Sequence, residues 1–350
     1  MLKFGLGYDF RRGPNDHRRM ADIYAETIDL IVYAEDLGFD YVMLTEHHFV
    51  QDGYSPSYAP IAAAIAARTS RIRIVSYVVL LPFHNPLRLA EDIAVADLVS
   101  NGRVELGVGA GYRKEEYEGF GLDRTERGRR MDEGCEVLIK AWTEENWSFA
   151  GRHWTFNEVT MTPKAVQEPH PRLWISARAP APARRAARFK APLQLPPIQD
   201  VGIEAEQASY DVYADGLRSQ GADPVDFPVM GMFGGVVTDD LTRTGAAMSE
   251  AVRWKRELYA AWFAEAMDLE FDASKAQKPT AELRALSGAV GDPQTVIQGI
   301  ENYVGRGIPY THIATGGLHE RFNADGRNQY MEGFSRHILP HFRSQTGTGV

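Results

Sequence analysis

The feature that most constrains this chain is an alternation of short apolar runs with long amphipathic stretches, repeated from one end to the other. Phe4 to Tyr8, Tyr41 to Leu44, Ile72 to Leu81 and Val104 to Val108 read as strands. Such unbroken apolar runs suit parallel strands covered on both faces. The stretches between them carry helical spacing: Asp22 to Leu37, closed by Gly38, then Pro60 to Ala67, Leu87 to Val99 and Met131 to Trp142. The second half predicts a surface hairpin over Trp147 to Met161, then strands at Leu173 to Ser176, Leu193 to Leu195, Phe227 to Val237 and Tyr310 to Thr315. Helices are predicted at Ala183 to Phe189, Ala246 to Met267, Val296 to Val304 and Asn328 to Ile338, and Asp268 to Ala289 reads as an insertion. Eight βα units in 350 residues average about 44 residues each, which suits a barrel with insertions. A doubly wound sheet alternates in the same way, so periodicity leaves both architectures open. No composition shift marks a linker, and residues 1–350 read as one domain.

Composition narrows the function classes. The formal net charge is −9, from 38 basic and 47 acidic side chains. Nucleic-acid binding wants a concentrated basic face, so no nucleic-acid partner is expected. The single cysteine, Cys135, excludes a disulfide framework and a cysteine-based zinc cluster. No apolar run is long enough for a membrane span. The apolar start is too short for a secretory signal, so a cytoplasmic protein with no membrane partner is expected.

Four segments stand where barrel or sheet chemistry would sit, at strand ends. The first is Leu44-Thr45-Glu46-His47-His48-Phe49. A metal site would want histidines one turn apart on a helix, and these are adjacent. Neighbours on an extended chain point to opposite faces. One histidine therefore points into a site and the other into the wall, as an acid–base group or as hydrogen-bonded structural residues. The second is Gly107-Val108-Gly109-Ala110-Gly111-Tyr112. A dinucleotide fingerprint needs glycine at the sixth place, where Tyr112 stands. The glycines suit a backbone passing close to something bulky, or tight packing at a barrel mouth. The third is Ser176-Ala177-Arg178, a hydroxyl, free backbone amides and a guanidinium able to hold phosphate if a helix begins there. Arg184, Arg185 and Arg188 read as a solvated helix face. The fourth is Ser76-Tyr77-Val78 with Pro82 to Pro86, which reads as packing.

Taken in order, these segments resemble the bacterial luciferase-like family of flavin-dependent monooxygenases. The resemblance rests on Leu44 to Phe49, Leu81 to Pro86 with Arg88 to Asp92, and Asn101-Gly102-Arg103 leading to Gly111-Tyr112. It continues through Phe120 to Asp123, Arg129 with Glu133, Trp174 to Arg188, and Gly291-Asp292-Pro293 to Pro340. It implies a TIM (β/α)8 barrel with insertions. It implies reduced FMN, or a deazaflavin coenzyme in one branch, at the C-terminal mouth. By resemblance His47 is the catalytic histidine, supported by Glu46 as its catalytic companion. Tyr77 and Val78 match a bulge behind the flavin ring, often with a non-proline cis peptide. Gly109, Ala110, Gly111 and Tyr112 match the fourth-strand end beside the cofactor. Ser176, Ala177 and Arg178 match the phosphate loop, and Arg129 an arginine that approaches the phosphate.

The departures from luciferases bear on function. Ala110 stands where they carry a phosphate-contacting arginine and Gly109 where they carry a reactive cysteine, so light emission is not implied. Pro196 and Pro197 follow the sixth strand in place of a serine and a bulky aromatic. The resemblance implies a two-component monooxygenase that uses reduced FMN and oxygen on a small-molecule substrate, fed by an NAD(P)H flavin reductase, and a homodimer. The alternatives are a deazaflavin-dependent hydride-transfer oxidoreductase and a flavin-binding protein without turnover. The substrate pocket is expected around Phe10 to Asn15 and in the 268–289 insertion.

Overall fold

The computed structural model describes residues 1–13, 16–197, 201–266, 288–315 and 324–344. Its main sheet holds β1 (Lys3–Tyr8), β2 (Tyr41–Leu44), β3 (Arg73–Ser76), β4 (Val79–Leu80), β5 (Val104–Gly109), β8 (Leu173–Ser176), β9 (Leu193–Gln194), β10 (Val229–Met232) and β13 (His312–Thr315). All pairings in it are parallel, and β3 also pairs with β5, which closes the ring. β3 and β4 share one position, so the ring has eight strand positions: a TIM barrel. This settles the choice that periodicity left open.

The predicted third strand is broken in the middle. Ile74 lies opposite Val104, but Val79 lies opposite Val108. Five residues on one strand therefore match four on its neighbour, which is a bulge. It falls at Tyr77–Val78, where the peptide bond is cis, as the resemblance implied.

Side chains alternate across the barrel wall. Val42, Leu44, Ile74, Val104, Leu106 and Val108 face the helices in the large outer core, while Tyr41, Met43, Val75, Trp174, Met230 and Ala314 fill the interior. The interior takes rings this large only because glycine stands opposite. A Cβ on Gly5 would overlap the Tyr41 ring, and one on Gly107 would overlap the Ser76 carbonyl.

The outer layer includes α1 (Met20–Asp36), α2 (Tyr58–Ala66), α3 (Pro86–Ser100), α5 (Arg127–Thr143), α6 (Pro180–Arg188) and α7 (Ile203–Arg218). It continues with α9 (Pro293–Val304), α10 (Ala324–His337) and α11 (Leu339–Ser344). α1 ends where predicted, with Gly38 at φ +88°. α3 starts on Asn85, whose Oδ1 accepts from the amides of Leu87 (3.0 Å) and Arg88 (3.2 Å), with Pro86 in the first turn.

Three insertions decorate the barrel. The expected hairpin is β6 (Trp147–Ala150) with β7 (Thr155–Val159), antiparallel. The short helix α4 (Lys114–Gly119) follows β5. The predicted seventh strand is two strands. β10 belongs to the barrel, while β11 (Gly234–Val237) leaves it to pair with β12 (Gly288–Gly291). The long helix α8 (Leu241–Ala266) follows β11. Residues 267–287, most of the predicted 268–289 insertion, lie outside the described residues, as do 14 and 15.

Candidate active site at the C-terminal mouth

The chain leaves β2 as Thr45-Glu46-His47-His48. The two histidines project to opposite sides, as an extended backbone requires. The His48 ring goes into the wall: its Nε2 lies 3.1 Å from Glu46 Oε1, and it stands edge-on to Phe120 and Phe83 at 4.8 and 5.8 Å. The His47 ring enters an aromatic cluster, with Tyr54 at 4.9 Å, Trp262 at 5.0 Å, Tyr112 at 5.7 Å and Tyr259 at 6.2 Å. Tyr54 and Tyr259 share a hydroxyl–hydroxyl hydrogen bond of 2.9 Å.

Glu46 makes its contacts with residues other than His47. It shares a face with His48, two residues on. Its Oε1 accepts from the Leu80 amide (3.2 Å) and also meets His84 Nε2 at 3.0 Å. It thus ties the end of β2 to β4 just past the bulge. Burial alone would raise this carboxyl's pKa, but the imidazoles of His48 and His84 outweigh it and hold it down at about 2. Burial opposes a charge on His84, yet Glu46 wins there too and its pKa is raised.

The carboxylate beside His47 is Glu116 on α4, which the sequence reading missed. Its Oε1 lies 2.8 Å from His47 Nδ1 and accepts from the His48 amide at 2.9 Å. Arg113, just before α4, donates to the His48 carbonyl at 2.8 Å and to Glu116 Oε1 at 3.4 Å.

The glycines after β5 are spoken for in different ways. The space left by Gly109 is taken by Val78: a Cβ there would come within 2.6 Å of Val78 Cγ2. Gly111 adopts φ +71°, with its nearest side chains, Leu80 and Phe83, no closer than 3.5 Å from a Cβ. The Ala110 carbonyl accepts from the Tyr117 hydroxyl. Tyr77, on the other side of the bulge, donates its hydroxyl to the Leu195 carbonyl at 2.8 Å.

On β8, Ser176 is half-buried and Ala177 fully buried. The Ala177 amide is not free, because it donates to the Gln194 carbonyl at 3.0 Å in the sheet. Helix α6 does begin just past Arg178, but prolines at 180 and 182 remove two donors from its first turn. The loop therefore offers fewer amides than the sequence reading supposed. The Arg178 guanidinium is its principal charge, stacked 4.1 Å over Phe263. Arg129 is exposed on the first turn of α5, and no described hydrogen bond or ion pair joins it to this loop. Arg188 is exposed and pairs with Asp132, as a solvated helix face should, whereas Arg185 is largely covered and binds both Asp132 and the Gly128 carbonyl.

The end of α8 draws the pieces together. Phe263 stacks on Tyr112 at 4.4 Å as well as on Arg178. Trp262 lies against His47 and under the Arg113 guanidinium, 4.5 Å away. His47, Tyr112 and Arg178, from three different strand ends, thus share one aromatic cover. The Tyr112 hydroxyl is buried beneath it with no hydrogen-bond partner among the described residues. Among the described residues, no group of three or more metal-binding side chains occurs, and no helix is long and apolar enough to cross a membrane.

A model of the luciferase-like monooxygenase family matches residues 3–309. The chain belongs to this family. Among solved structures of luciferase-like barrels, the monooxygenase RslO1 from Streptomyces bottropensis superposes with a TM-score of 0.83 at 28% identity, covering 97% of this chain and all of that one. The oxygenase component of a flavin-dependent trigonelline monooxygenase from Acinetobacter baylyi (strain ATCC 33305 / BD413 / ADP1) is 28% identical over 59% of this chain and 57% of its own length. An FMNH(2)-dependent dimethylsulfone monooxygenase from Pseudomonas putida is 31% identical over 44% of each chain. The matches span about half the length of these curated relatives.

Proposed function

We propose that the protein is the oxygenase component of a two-component, FMN-dependent monooxygenase. The observation that carries the reading is the gathering of His47, Tyr112 and Arg178 at one barrel mouth under Trp262 and Phe263. The donor set fits FMN. One guanidinium and the Ser176 hydroxyl suit a single phosphate monoester, while a helix start with two prolines is poorly supplied for a pyrophosphate. Val78, seated on Gly109, offers an apolar surface beside the fourth-strand end for a flat ring. The Tyr112 hydroxyl, without a partner among the described residues, supplies a hydrogen bond for such a ligand. When bound and reduced, the flavin supplies the two electrons that let one atom of O2 enter the substrate while the other leaves as water.

The protein's own part is positioning and shielding. Arg178 anchors the phosphate end. Tyr54, Tyr112, Tyr259 and Trp262 exclude water from the side chain of His47. His47 holds or passes a proton at Nε2, the ring nitrogen not turned toward Glu116. The name of the dimethylsulfone relative supports reduced FMN as cofactor, that of the trigonelline relative supports a flavin, and "oxygenase component" supports a separate NAD(P)H reductase as partner. The reading includes a small organic substrate, a cytoplasmic location and a homodimer. The exposed apolar stripe Val95, Leu98 and Val99 on α3 favours the dimer.

The test is a titration of the purified protein with FMN, riboflavin and the deazaflavin coenzyme, followed by oxygen consumption with a flavin reductase present. FMN should bind, and oxygen uptake should be retained in the reduced complex. Arg178→Ala should weaken FMN by about 10- to 150-fold, the worth of one charge-assisted contact, and leave riboflavin nearly unchanged. Binding of the deazaflavin coenzyme alone, with no reaction with oxygen, would replace this reading with hydride transfer.

A further inference from the structure

We infer that Glu116 is a positioning residue that fixes the orientation and tautomer of His47. The inference rests on the proposed role of His47 for its functional consequence, but not for its structural content.

The carboxylate is fully buried and sits on the first turn of α4, reached from β5. One oxygen, Oε1, meets three groups at once: the Nδ1 edge of the His47 ring at 2.8 Å, the His48 backbone amide at 2.9 Å and, more distantly, the Arg113 guanidinium at 3.4 Å. The amide is a donor in every state. It therefore marks this oxygen as an acceptor, and an acceptor needs Nδ1 to carry the hydrogen. The neutral ring is then the Nδ1–H tautomer, with the Nε2 lone pair turned to the aromatic cluster. The same logic sets the tautomer of histidines wherever one ring nitrogen faces a fixed carboxylate.

The bracket is over-determined. Arg113 grips the carbonyl of the same residue whose amide Glu116 grips, so the start of α4 holds the end of β2 through both backbone polar groups of His48. Trp262 then presses on His47 from one side and on Arg113 from the other. Glu46, the carboxylate next to His47 in sequence, cannot do this work, because it is engaged by His48, His84 and Leu80. The second Glu116 oxygen is buried with no partner among the described residues.

The experiment is nitrogen NMR of histidine-labelled protein, with the His47 signal assigned by its loss in His47→Gln. The wild type should show Nδ1 protonated and Nε2 bare when neutral. Glu116→Gln keeps shape and an acceptor but adds an amide donor that can face Nδ1 equally well, so the two tautomers should mix. Glu116→Asp, a carboxylate one methylene short, should restore the Nδ1–H form in part. Product formed per flavin oxidised should fall about 10- to 100-fold in Glu116→Gln, the usual cost of losing an orienting partner. In the double variant with His47→Gln it should equal that of His47→Gln alone, since Glu116 acts through that ring. A wild-type Nε2–H tautomer, or a tautomer ratio unmoved in Glu116→Gln, overturns the inference whatever the activity. A moved tautomer with unchanged product yield upholds it, and removes His47 from the chemistry instead.

Discussion

Glu46 braces the mouth through neighbours other than His47. Its one engaged oxygen ties together His48, His84 and the amide that follows the bulge. The folded carboxyl titrates at about 2, far below an unfolded glutamate. A depressed carboxyl contributes stability that is present above its unfolded pKa of about 4.3 and is lost as pH falls toward the folded value. His84 works with the opposite sign. Its pKa is raised, so its contribution is full below about 6.5 and is lost as pH rises through the folded pKa. The bracket should therefore be strongest between about pH 4.5 and 6.5. Denaturation midpoints of wild type and Glu46→Gln across pH 3 to 9 test this: the gap between them should be widest in that window and narrow on both sides. A gap independent of pH would mean that the glutamate acts by shape alone. Much of this residue-scale logic was legible in advance. Adjacent histidines must part, and they do. Which carboxylate each would meet was not legible, because Glu115 and Glu116 look alike in Lys114-Glu115-Glu116-Tyr117. One is exposed and the other fully buried, and only the packing of α4 against the end of β2 decides.

At the scale of elements, the break between β3 and β4 depends on β5. Val78 fits only because residue 109 has no side chain. Gly109→Ala would push a methyl into Val78 Cγ2, and the bulge would have to move or the strands part. Overpacking of this kind costs about 1–3 kcal/mol. Because Val78 also offers the proposed apolar surface for the ring, FMN affinity should drop together with stability. Chemical denaturation and FMN titration of the same variant read both, and Gly109→Ala with Val78→Ala should recover part of each loss. Unchanged stability in the single variant would show that the space is not tight. The strands themselves were visible in the sequence because a barrel strand is apolar on both sides. Their ends were less visible. Phe227 to Val237 reads as one strand because the apolar run is continuous, yet the Phe233 amide makes the last bond to β13, at the Ala314 carbonyl, and from Gly234 the chain pairs with β12 instead. The six-residue helix α4 is too short to show a period. Helix α7 buries Tyr210, Tyr213, Ala214 and Leu217, a face too poor in aliphatic side chains to mark it. α8 was foreseen as a helix, but not that its Tyr259, Trp262 and Phe263 would turn onto the mouth, since the partners of an aromatic face lie elsewhere in the chain.

Across the whole molecule, the barrel separates its chemistry from its anchorage. The mouth gathers His47 and Arg178, and the opposite end is closed by a polar plug built from strand starts. Glu105, early on β5, is buried; Arg73 and Arg172 pair with it, the latter at 3.2 Å, and the Trp174 indole donates to it at 2.6 Å. Burial would raise this carboxyl's pKa, but Arg73 and Arg172 outweigh it and lower it. His312, the first residue of β13, lies at the same end, where burial pushes its pKa down to about 3 and keeps it neutral. In barrels of this kind the strand starts serve stability and the strand ends serve function. Glu105→Gln should therefore destabilise the fold and spare the mouth. It leaves two arginines without their counter-charge. Both are partly exposed, so water recovers some of the loss, and a cost of about 1–3 kcal/mol is expected rather than the larger penalty of a fully buried broken pair. The sign with pH follows from the lowered carboxyl: the wild type's advantage should be full above about pH 4.5 and shrink as pH falls below it. FMN affinity and product yield, measured at matched folded fraction, should stay at wild-type levels. A variant that folds normally but loses FMN would show that the two ends of the barrel are coupled through the interior layer of Tyr41, Val75, Trp174 and Met230, and the division of labour between strand starts and strand ends would not hold for this chain.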